Sequence, residues 1–411
     1  MAQLNITLNQ DEILQLLSAD RNEAFKTLLQ ESLNSILQAE SSAQLGAERY
    51  ERSLERSDSR NGSRNRELKT RIGTIDLCVP RHRNVPFKSL IFDNYSRSEA
   101  ALVTTMAEMV VNGVSTRKVS TVMETLCGTS FSKSTVSEVC KELDASVIKF
   151  KNRPLSGEYP FMYVDATYFK VRGELHIEPR ALMVALAYDE AGHREIVGFE
   201  VYETESKETW KLFLESLANR GLSGLNMITS DAHQGIIYAI SKVFPDVPWQ
   251  RCQTHFSRNI LEHAPKKYQK AIHAQLQDMY NSETIEEARK IRDAIFEEYK
   301  DVADKALECL DLGFEDAMTV LTLPKSYRRF MRTSNHLERL NKELKRRSKV
   351  IGIFPNEASL LRIMGSVLVE LNQVYVLEQK LNIGASDKAK LKSCKNKLIV
   401  IAKKQQQLLA A

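Results

Sequence analysis

The sequence predicts an α+β protein of several domains: a helical N-terminal region, a mixed-sheet core, and an all-helical segment that interrupts the core. Three observations carry this. At 411 residues the chain exceeds one ordinary core, since domains run to roughly 100–200 residues. Apolar residues recur at helical spacing before residue 150 and after residue 255, with period-two runs between them. Glycines and prolines mark the changes of period.

Residues 1–45 form a helical domain in which Leu14, Leu16, Leu17, Phe25, Leu28, Leu29, Leu33, Ile36 and Leu37 recur at helical spacings. So apolar a segment needs a partner, in the chain or in a second subunit, which makes it a candidate dimerisation element. Residues 46–98 are polar and Arg-rich, with Gly62, Gly73, Pro80 and Pro86; they read as an irregular basic arm carrying a short strand at 72–79. Residues 99–153 hold helical patches at 100–112 and 115–126 and a third that starts at the N-cap Ser132, with Val136, Val139 and Leu143 inward. Short helices joined by a Gly-containing turn resemble a helix-turn-helix. Ser132, Lys133, Ser134, Ser137 and Lys141 then lie on the face that enters a major groove. A plain three-helix packing module has the same pattern.

From residue 154 to 260 the order is strand (160–168), strand (181–188), strand (195–202), helix (207–220), strand (226–230), helix (235–243), strand (247–251). That is the order of the ribonuclease H-like fold. Residues 261–325 show no strand pattern and read as an all-helical insertion. The core resumes over 326–385 with helices at 334–347 and 360–381, and the Lys- and Gln-rich residues 386–411 read as a frayed helical tail.

The net charge of +5 is modest but unevenly spread. Residues 49–88 hold eleven Lys/Arg against five Asp/Glu, and residues 325–349 hold ten against two. Such runs suit a polyanion, because neutralising phosphates releases counterions; a solvated basic surface has the same composition. The candidate DNA contacts are Arg60, Arg64, Arg66, Arg71, Arg81 and Arg83 in the first run and Arg339, Lys342, Arg346 and Arg347 in the second. Nowhere is there an uncharged apolar run of the ~18 residues that a membrane span needs. No basic-then-apolar export signal opens the chain, so a cytoplasmic protein without a membrane partner is expected. The six cysteines lie far apart without a Cys-x-x-Cys pair, which argues against a zinc ribbon and for free buried thiols.

Asp165 ends the first core strand, in Met162-Tyr-Val-Asp-Ala, and Asp231 ends the fourth, in Met227-Ile-Thr-Ser-Asp. Singly, an acid after an apolar strand is often a turn residue or a helix cap. In the ribonuclease H-like order those strands are neighbours, so both carboxylates point from adjacent strand ends. Side by side they repel unless a cation lies between them, which is how oxygen ligands make a divalent-metal site. A third acid must come from a helix beyond the insertion. In Asn335-His-Leu-Glu-Arg-Leu-Asn341, the residues Asn335, Glu338, Arg339 and Lys342 share one side of a helix. A surface ion pair of Glu338 with Lys342 or Arg339 has the same spacing. Glu343 is five residues on, about 500° around the axis at ~100° per residue, and reads as an ion-pair partner of Arg339, Arg346 or Arg347. A site of this kind takes two Mg²⁺ ions, with Mn²⁺ able to substitute, and suits in-line phosphoryl transfer without a covalent protein intermediate. Cys252 and His255 form a Cys-x-x-His pair with no second pair at finger spacing; with Asn335 they read as support behind the metal ligands or as DNA contacts. Lys170 and Arg172, just past Asp165, read as phosphate contacts or as ordinary edge-strand charge.

Over residues 45–380 the chain resembles the mutator-type transposases of bacterial insertion sequences, DDE enzymes of the ribonuclease H-like superfamily. The stretches that carry the likeness are Arg60-Asn-Gly, Thr70-Arg-Ile-Gly, Val79-Pro-Arg-His-Arg, Gly113-Val-Ser-Thr-Arg-Lys-Val, Val164-Asp-Ala-Thr-Tyr-Phe-Lys-Val-Arg172, Ser230-Asp-Ala-His-Gln-Gly235, Trp249-Gln-Arg-Cys-Gln-Thr-His255 and Ser334-Asn-His-Leu-Glu-Arg-Leu-Asn341. The resemblance implies that Asp165, Asp231 and Glu338 are the catalytic, metal-binding triad. It further implies an N-terminal region that grips terminal inverted repeats, a helical domain inserted in the core before the glutamate, and transposition of a mobile element through a circular intermediate; the partner expected is double-stranded DNA, bound by a homodimer. Two rivals are weighed. His336, Arg339 and Tyr375 follow the order of a tyrosine recombinase, in which Tyr375 attacks DNA covalently, but the strand-first core and paired aspartates have no role there. A domesticated DNA-binding regulator that kept the fold and lost the chemistry is free to lose an acid of the triad, and all three stand.

Overall fold

A computed structural model of the chain describes residues 21–51, 56–70, 72–89, 100–127, 131–377, 380–381 and 383–410. Leu14, Leu16 and Leu17 of the first helical repeat, and Arg71, lie outside the described residues. The structure is a mixed α+β arrangement in two compact units, Met1–Glu142 and Leu143–Ala411.

In the first unit, helix α1 (Arg21–Leu45) packs on a two-stranded antiparallel ribbon, β1 (Arg60–Thr70) and β2 (Gly73–His82). Leu37 of α1 meets Leu68, Ile75, Leu77 and Val79, with Leu29, Leu33 and Phe87 around them. The expected irregular arm is therefore largely a folded ribbon. β1 eluded the pattern because its Arg, Asn, Ser and Gly residues show no alternation, and its burial comes from β2 and α1. Asp58 secures the base of the ribbon, accepting from the backbone of Val85, Asn84 and Ser59, which hold its carboxyl down at about 2. Helices α2 (Ala100–Val111), α3 (Thr116–Cys127) and α4 (Lys133–Lys141) follow as expected and pack on one another. Ser132 caps α4, its hydroxyl accepting from the Thr135 N–H at 3.0 Å. The helix ends at Lys141, and Leu143 begins another, α5 (Leu143–Lys151), in the second unit.

The second unit is built on a five-stranded sheet in the order β5-β4-β3-β6-β7. The strands are β3 (Phe161–Arg172), β4 (Ile177–Tyr188), β5 (Arg194–Tyr202), β6 (Met227–Ser230) and β7 (Trp249–Arg251). β3, β4 and β5 form an antiparallel meander; β6 lies parallel to β3, and β7 parallel to β6. One face buries Met162, Val164 and Ile228 against α6 (Lys207–Asn219) and α7 (Gln234–Val243). Four helices follow the last strand: α8 (Gln253–His263), α9 (Gln269–Tyr280), α10 (Ile285–Tyr299) and α11 (Asp304–Met318). They enclose their own core around Phe256, Leu276, Leu310 and Phe314. A 3₁₀ turn (Thr319–Thr322) leads to α12 (Lys325–Met331), α13 (Asn335–Ser348) and α14 (Glu357–Leu377), of which α13 and α14 contact β3. α14 is long and apolar enough to cross a membrane by composition, but it packs on β5 and α5, and its buried Arg362 pairs with Asp144 at 2.7 Å.

The tail departs from expectation: residues 385–410 are a continuous helix, α15 (Ala385–Ala410). Leu391, Leu398 and Ala402 are buried. The Gln405 carboxamide accepts from the Trp249 N–H (2.9 Å) and donates to the Trp249 carbonyl (2.8 Å), as a sheet neighbour would. Tertiary contact, not the lysine-rich composition, makes this helix. The five described cysteines are free thiols, but only Cys140 and Cys252 are buried; Cys309 and Cys394 are half-buried and Cys78 is exposed.

Candidate active site

Asp165 and Asp231 meet because the strands that carry them run parallel and in register. Phe161, Met162 and Tyr163 stand opposite Met227, Ile228 and Thr229, and the aspartates follow two residues later on each strand. Period-two alternation puts Tyr163 with Asp165, and Thr229 with Asp231, on the face turned to α12. There the Tyr163 hydroxyl donates to the Phe330 carbonyl at 2.7 Å and the Thr229 hydroxyl to that of Met331 at 2.8 Å. Asp165 Oδ1 accepts from the Ala166 N–H (2.9 Å), and Oδ2 from the Asn341 amide of α13 (2.8 Å). Asp231 accepts from the His233 N–H at 3.3 Å, the turn contact common for an acid ahead of a helix. Burial, reinforced by Asp231 and Glu205, pushes Asp165 up to about 7 against the Ala166 hydrogen bond and His255.

α13 is keyed to the sheet at two points. Near its start His336 is gripped between Arg194 (Nη1 to Nδ1, 2.8 Å) and the Tyr188 hydroxyl (3.3 Å from Nε2). Because arginine only donates, Nδ1 must accept, and the neutral ring carries its proton on Nε2. Burial pushes this imidazole down to about 4, helped by Arg194 and Arg339, so it stays neutral near pH 7. Asn341 is the second key. Glu338 lies between them and turns toward His255: Nε2 is 3.4 Å from Oε1, near enough for an ion pair but poorly aligned for a hydrogen bond. That oxygen is buried with no hydrogen-bond partner. The Cys252 side chain pushes His255 above its ordinary value despite burial, with Glu338 and Asp165 adding to the rise. Burial pushes the Cys252 thiol up, but contacts from His255 and Ser334 outweigh it and leave it below its ordinary value. The Ser334 N–H and hydroxyl lie 3.4 and 3.3 Å from its sulfur.

The donor set is all carboxylate oxygen, and an Asp165 whose proton affinity is raised by burial and by the neighbouring Asp231 suits a hard divalent ion. Glu338 is close but turned aside. Among the described residues no three His, Cys, Asp or Glu side chains converge as a cage.

The predicted DNA contacts fare unequally. Arg64, Arg81, Arg83, Lys133, Lys141, Arg339, Lys342 and Arg346 are exposed. Arg60 is spent inside the first unit, donating to Ser42, Ala47 and Glu48, and Arg66 is half-buried on the ribbon face that carries Leu68. Lys170 and Arg172 are exposed but, by strand alternation, lie on the face of β3 opposite Asp165. Arg347 is a correction: its side chain is 6% exposed and pairs with Glu343 (2.8 Å) and Glu370 (2.6 Å), so it has no surface for DNA. Glu343 is the ion-pair partner expected of it. Asn335 is exposed, and Asn341 is the asparagine that reaches an aspartate. Tyr375 is 9% exposed beneath the Arg194 guanidinium, which denies a covalent nucleophile there access to a DNA backbone.

The family described as "Transposase, Mutator family" matches residues 1–377. The chain belongs to the Mutator family of transposases. It is 39% identical over 384 residues to the transposase for insertion sequence element IS256 in transposon Tn4001 from Staphylococcus aureus, covering 92% of this chain and 98% of that protein. The transposase for ISRM5 of Rhizobium meliloti is 38% identical over 86% of this chain and 88% of its own length. That for IS1081 of Mycobacterium tuberculosis is 36% identical over 86% of each. In this transposase two residues near the aspartates escaped the sequence reading of the site. Asn341 had a signal, since it lies three residues beyond Glu338 on the same helix face. Glu205 had none: it sits in the loop after β5, held by the Trp210 indole N–H at 3.3 Å. Burial pushes its carboxyl up, with Asp231 adding and His233 opposing.

Proposed function

We propose that this transposase binds the terminal inverted repeats of an insertion sequence and cuts and rejoins their strands at Asp165, Asp231 and Glu338. The observation that carries the reading is the pair Asp165–Asp231, set side by side just beyond the parallel ladder of β3 and β6, with no lysine or arginine ion-paired to either among the described residues. Strand order and the helical interruption before Glu338 support a ribonuclease H-like core. The mutual packing of α2, α3 and α4, with Lys133, Ser134, Ser137 and Lys141 exposed, supports a helix-turn-helix in the first unit.

Asp165, Asp231 and Glu338 would hold two Mg²⁺ ions, or Mn²⁺. Bound there, the ions supply activation of the attacking hydroxyl and charge stabilisation of the leaving oxygen. The chain's own residues do the positioning. Asn341 fixes one Asp165 oxygen and leaves the other directed by the backbone. His336, clamped by Arg194 and Tyr188, sets the rotation of α13, and His255 holds the Glu338 carboxylate. Arg339 and Lys342, exposed on α13 beside Glu338, hold phosphates by charge. The partner DNA is duplex, and a homodimer on it brings two ends together. Incubating the purified protein with duplex carrying the element's repeats should give strand cleavage with Mg²⁺ or Mn²⁺ and none with Ca²⁺; absence of cleavage with every divalent ion overturns the reading.

A further inference from the structure

We propose that α15 and the helices facing it form a track for the phosphate backbone of duplex DNA. This rests on the DNA-binding reading above and adds an element that lies beyond the residues matched by the family.

α15 carries seven lysines, Lys388, Lys390, Lys392, Lys395, Lys397, Lys403 and Lys404, all exposed, against one acid, Asp387. They are not spread evenly. At ~100° per residue, Lys390, Lys397 and Lys404 recur every seven residues along one flank, while Lys392, Lys395 and Lys403 occupy the opposite flank. The first row borders a groove of about 620 Å³ whose far wall is α10, α11 and the 3₁₀ turn, and which also contains Arg289 and Arg328. The two acids in that groove are already engaged. Glu315 pairs with Arg289 at 2.9 Å, and Asp316 accepts from the Gln405 carboxamide at 2.8 Å. Lys397 and Lys404 have no ion pair within 4 Å among the described residues.

The row is held firmly. Gln405 is bonded to Trp249 of the edge strand, and Leu391 and Leu398 are buried, so the lysines project from a fixed rod rather than a loose tail. Lysines spaced along a rigid helix can meet a row of phosphates with little loss of backbone freedom on binding. The lysines stand along one side of the groove, while on the other Arg289 is paired with Glu315 and Arg328 is bonded to backbone carbonyls; a one-sided row of this length along a helix fits a polyanion strand better than an acidic side chain or a small anion.

The test compares the full chain with two variants on duplex carrying the element's ends, measuring dissociation constants from low to high salt. Each phosphate contact contributes about −0.9 to the slope of log K against log[salt]. The triple variant Lys390→Gln, Lys397→Gln, Lys404→Gln should flatten that slope by about 2–3. The flank variant Lys392→Gln, Lys395→Gln, Lys403→Gln should flatten it by less than about 1. Lys→Arg at the three groove positions should restore the slope, and unchanged melting temperatures show that the variants fold. An unchanged slope, or equal flattening by both triples, overturns the track. Loss of self-association with DNA binding intact assigns the row to a second copy of the chain and also overturns it. If the unaltered protein binds no end DNA at all, the functional reading falls instead.

Discussion

Helix α13 carries two glutamates whose surroundings are opposite. Glu343 lies among arginines: Arg346 and Arg347 bond its oxygens, and the Arg346 contact above all holds its carboxyl down at about 2. Arg347 passes the charge on to Glu370, so the network is neutralised within the chain. About one and a half turns earlier Glu338 turns to the His255 imidazole, beside the aspartate pair in which burial lifts Asp165 to about 7. Where the chain supplies cations its acids serve structure. Where it buries acids and withholds cations, the carboxylates are left to a proton or to a cation from outside the chain.

The comparison breaks most sharply under charge removal. Asp165→Asn, Asp231→Asn and Glu338→Gln should each reduce strand cleavage by about 10³-fold or more, the upper range for losing one group that stabilises a transition state. Binding to end DNA should persist, read by titration of labelled duplex. Cleavage surviving in any of the three removes that residue from the site. Next in size is Asn341→Ala. It deletes one hydrogen bond to Asp165 and should cost roughly 10–100-fold in cleavage, typical of a residue that orients a ligand. The Mg²⁺ concentration needed for half-maximal rate should rise while DNA affinity stays put. A purely structural asparagine would lower the melting temperature and leave that Mg²⁺ dependence alone.

Much of the catalytic unit was legible from period alone. The alternation of residues 160–168 and the apolar run 226–230 locate the two strands, because hydrophobic pattern decides which residues a sheet buries; Asp231 follows the end of β6 as expected, but Asp165 does not end its strand, since β3 runs on to Arg172 and Asp165 pairs with Val184 of β4. The extension of β3 to Arg172 was legible too: Tyr168, Lys170 and Arg172 are exposed while Phe169 and Val171 are buried, the alternation of a half-buried strand, and the expected strand stopped four residues short of it. Contacts distant in sequence were not legible. Asn341 meets Asp165 across 176 residues and Arg194 meets His336 across 142, and neither shows in local spacing. The burial of Arg347 was hidden for the same reason. In a run of ten basic residues it looks like its neighbours, and only Glu370 on α14 marks it as a core ion pair.

A third prediction uses pH and reads stability. The folded value of Asp165 is raised from the ordinary 3.8 to about 7, so the folded state binds this proton more tightly than the unfolded one. Stability is therefore greatest at low pH with respect to this group, and it falls as pH rises from about 4 to about 7, by about 2–4 kcal/mol. Mg²⁺ should recover that loss at pH 8 and do little at pH 5, measured as a shift in melting temperature. Asp165→Asn should flatten both responses. Glu343 works with the opposite sign, since its depressed value adds stability above the ordinary carboxylate range that is lost as pH falls toward about 2. A melting temperature indifferent to Mg²⁺ at pH 8 would separate Asp165 from any cation.

The smallest effect is the most discriminating. Glu343→Gln leaves the 6%-exposed Arg347 with Glu370 as its remaining carboxylate partner and frees Arg346 to solvent. Removing one partner of a buried pair costs about 3–5 kcal/mol when the other charge is stranded; with Glu370 still in place, about 1–2 kcal/mol is expected. Cleavage per folded molecule should not change, since the side chain has no contact with Asp165 or Asp231. Glu338→Gln should do the reverse, abolishing cleavage while holding or slightly raising the melting temperature, because it removes a buried oxygen that has no hydrogen-bond donor. The two substitutions are chemically identical, on one helix, five positions apart. If Glu343→Gln stopped cleavage and Glu338→Gln only loosened the fold, the catalytic acid would lie among the arginines, and the inference from withheld cations would be wrong at its root.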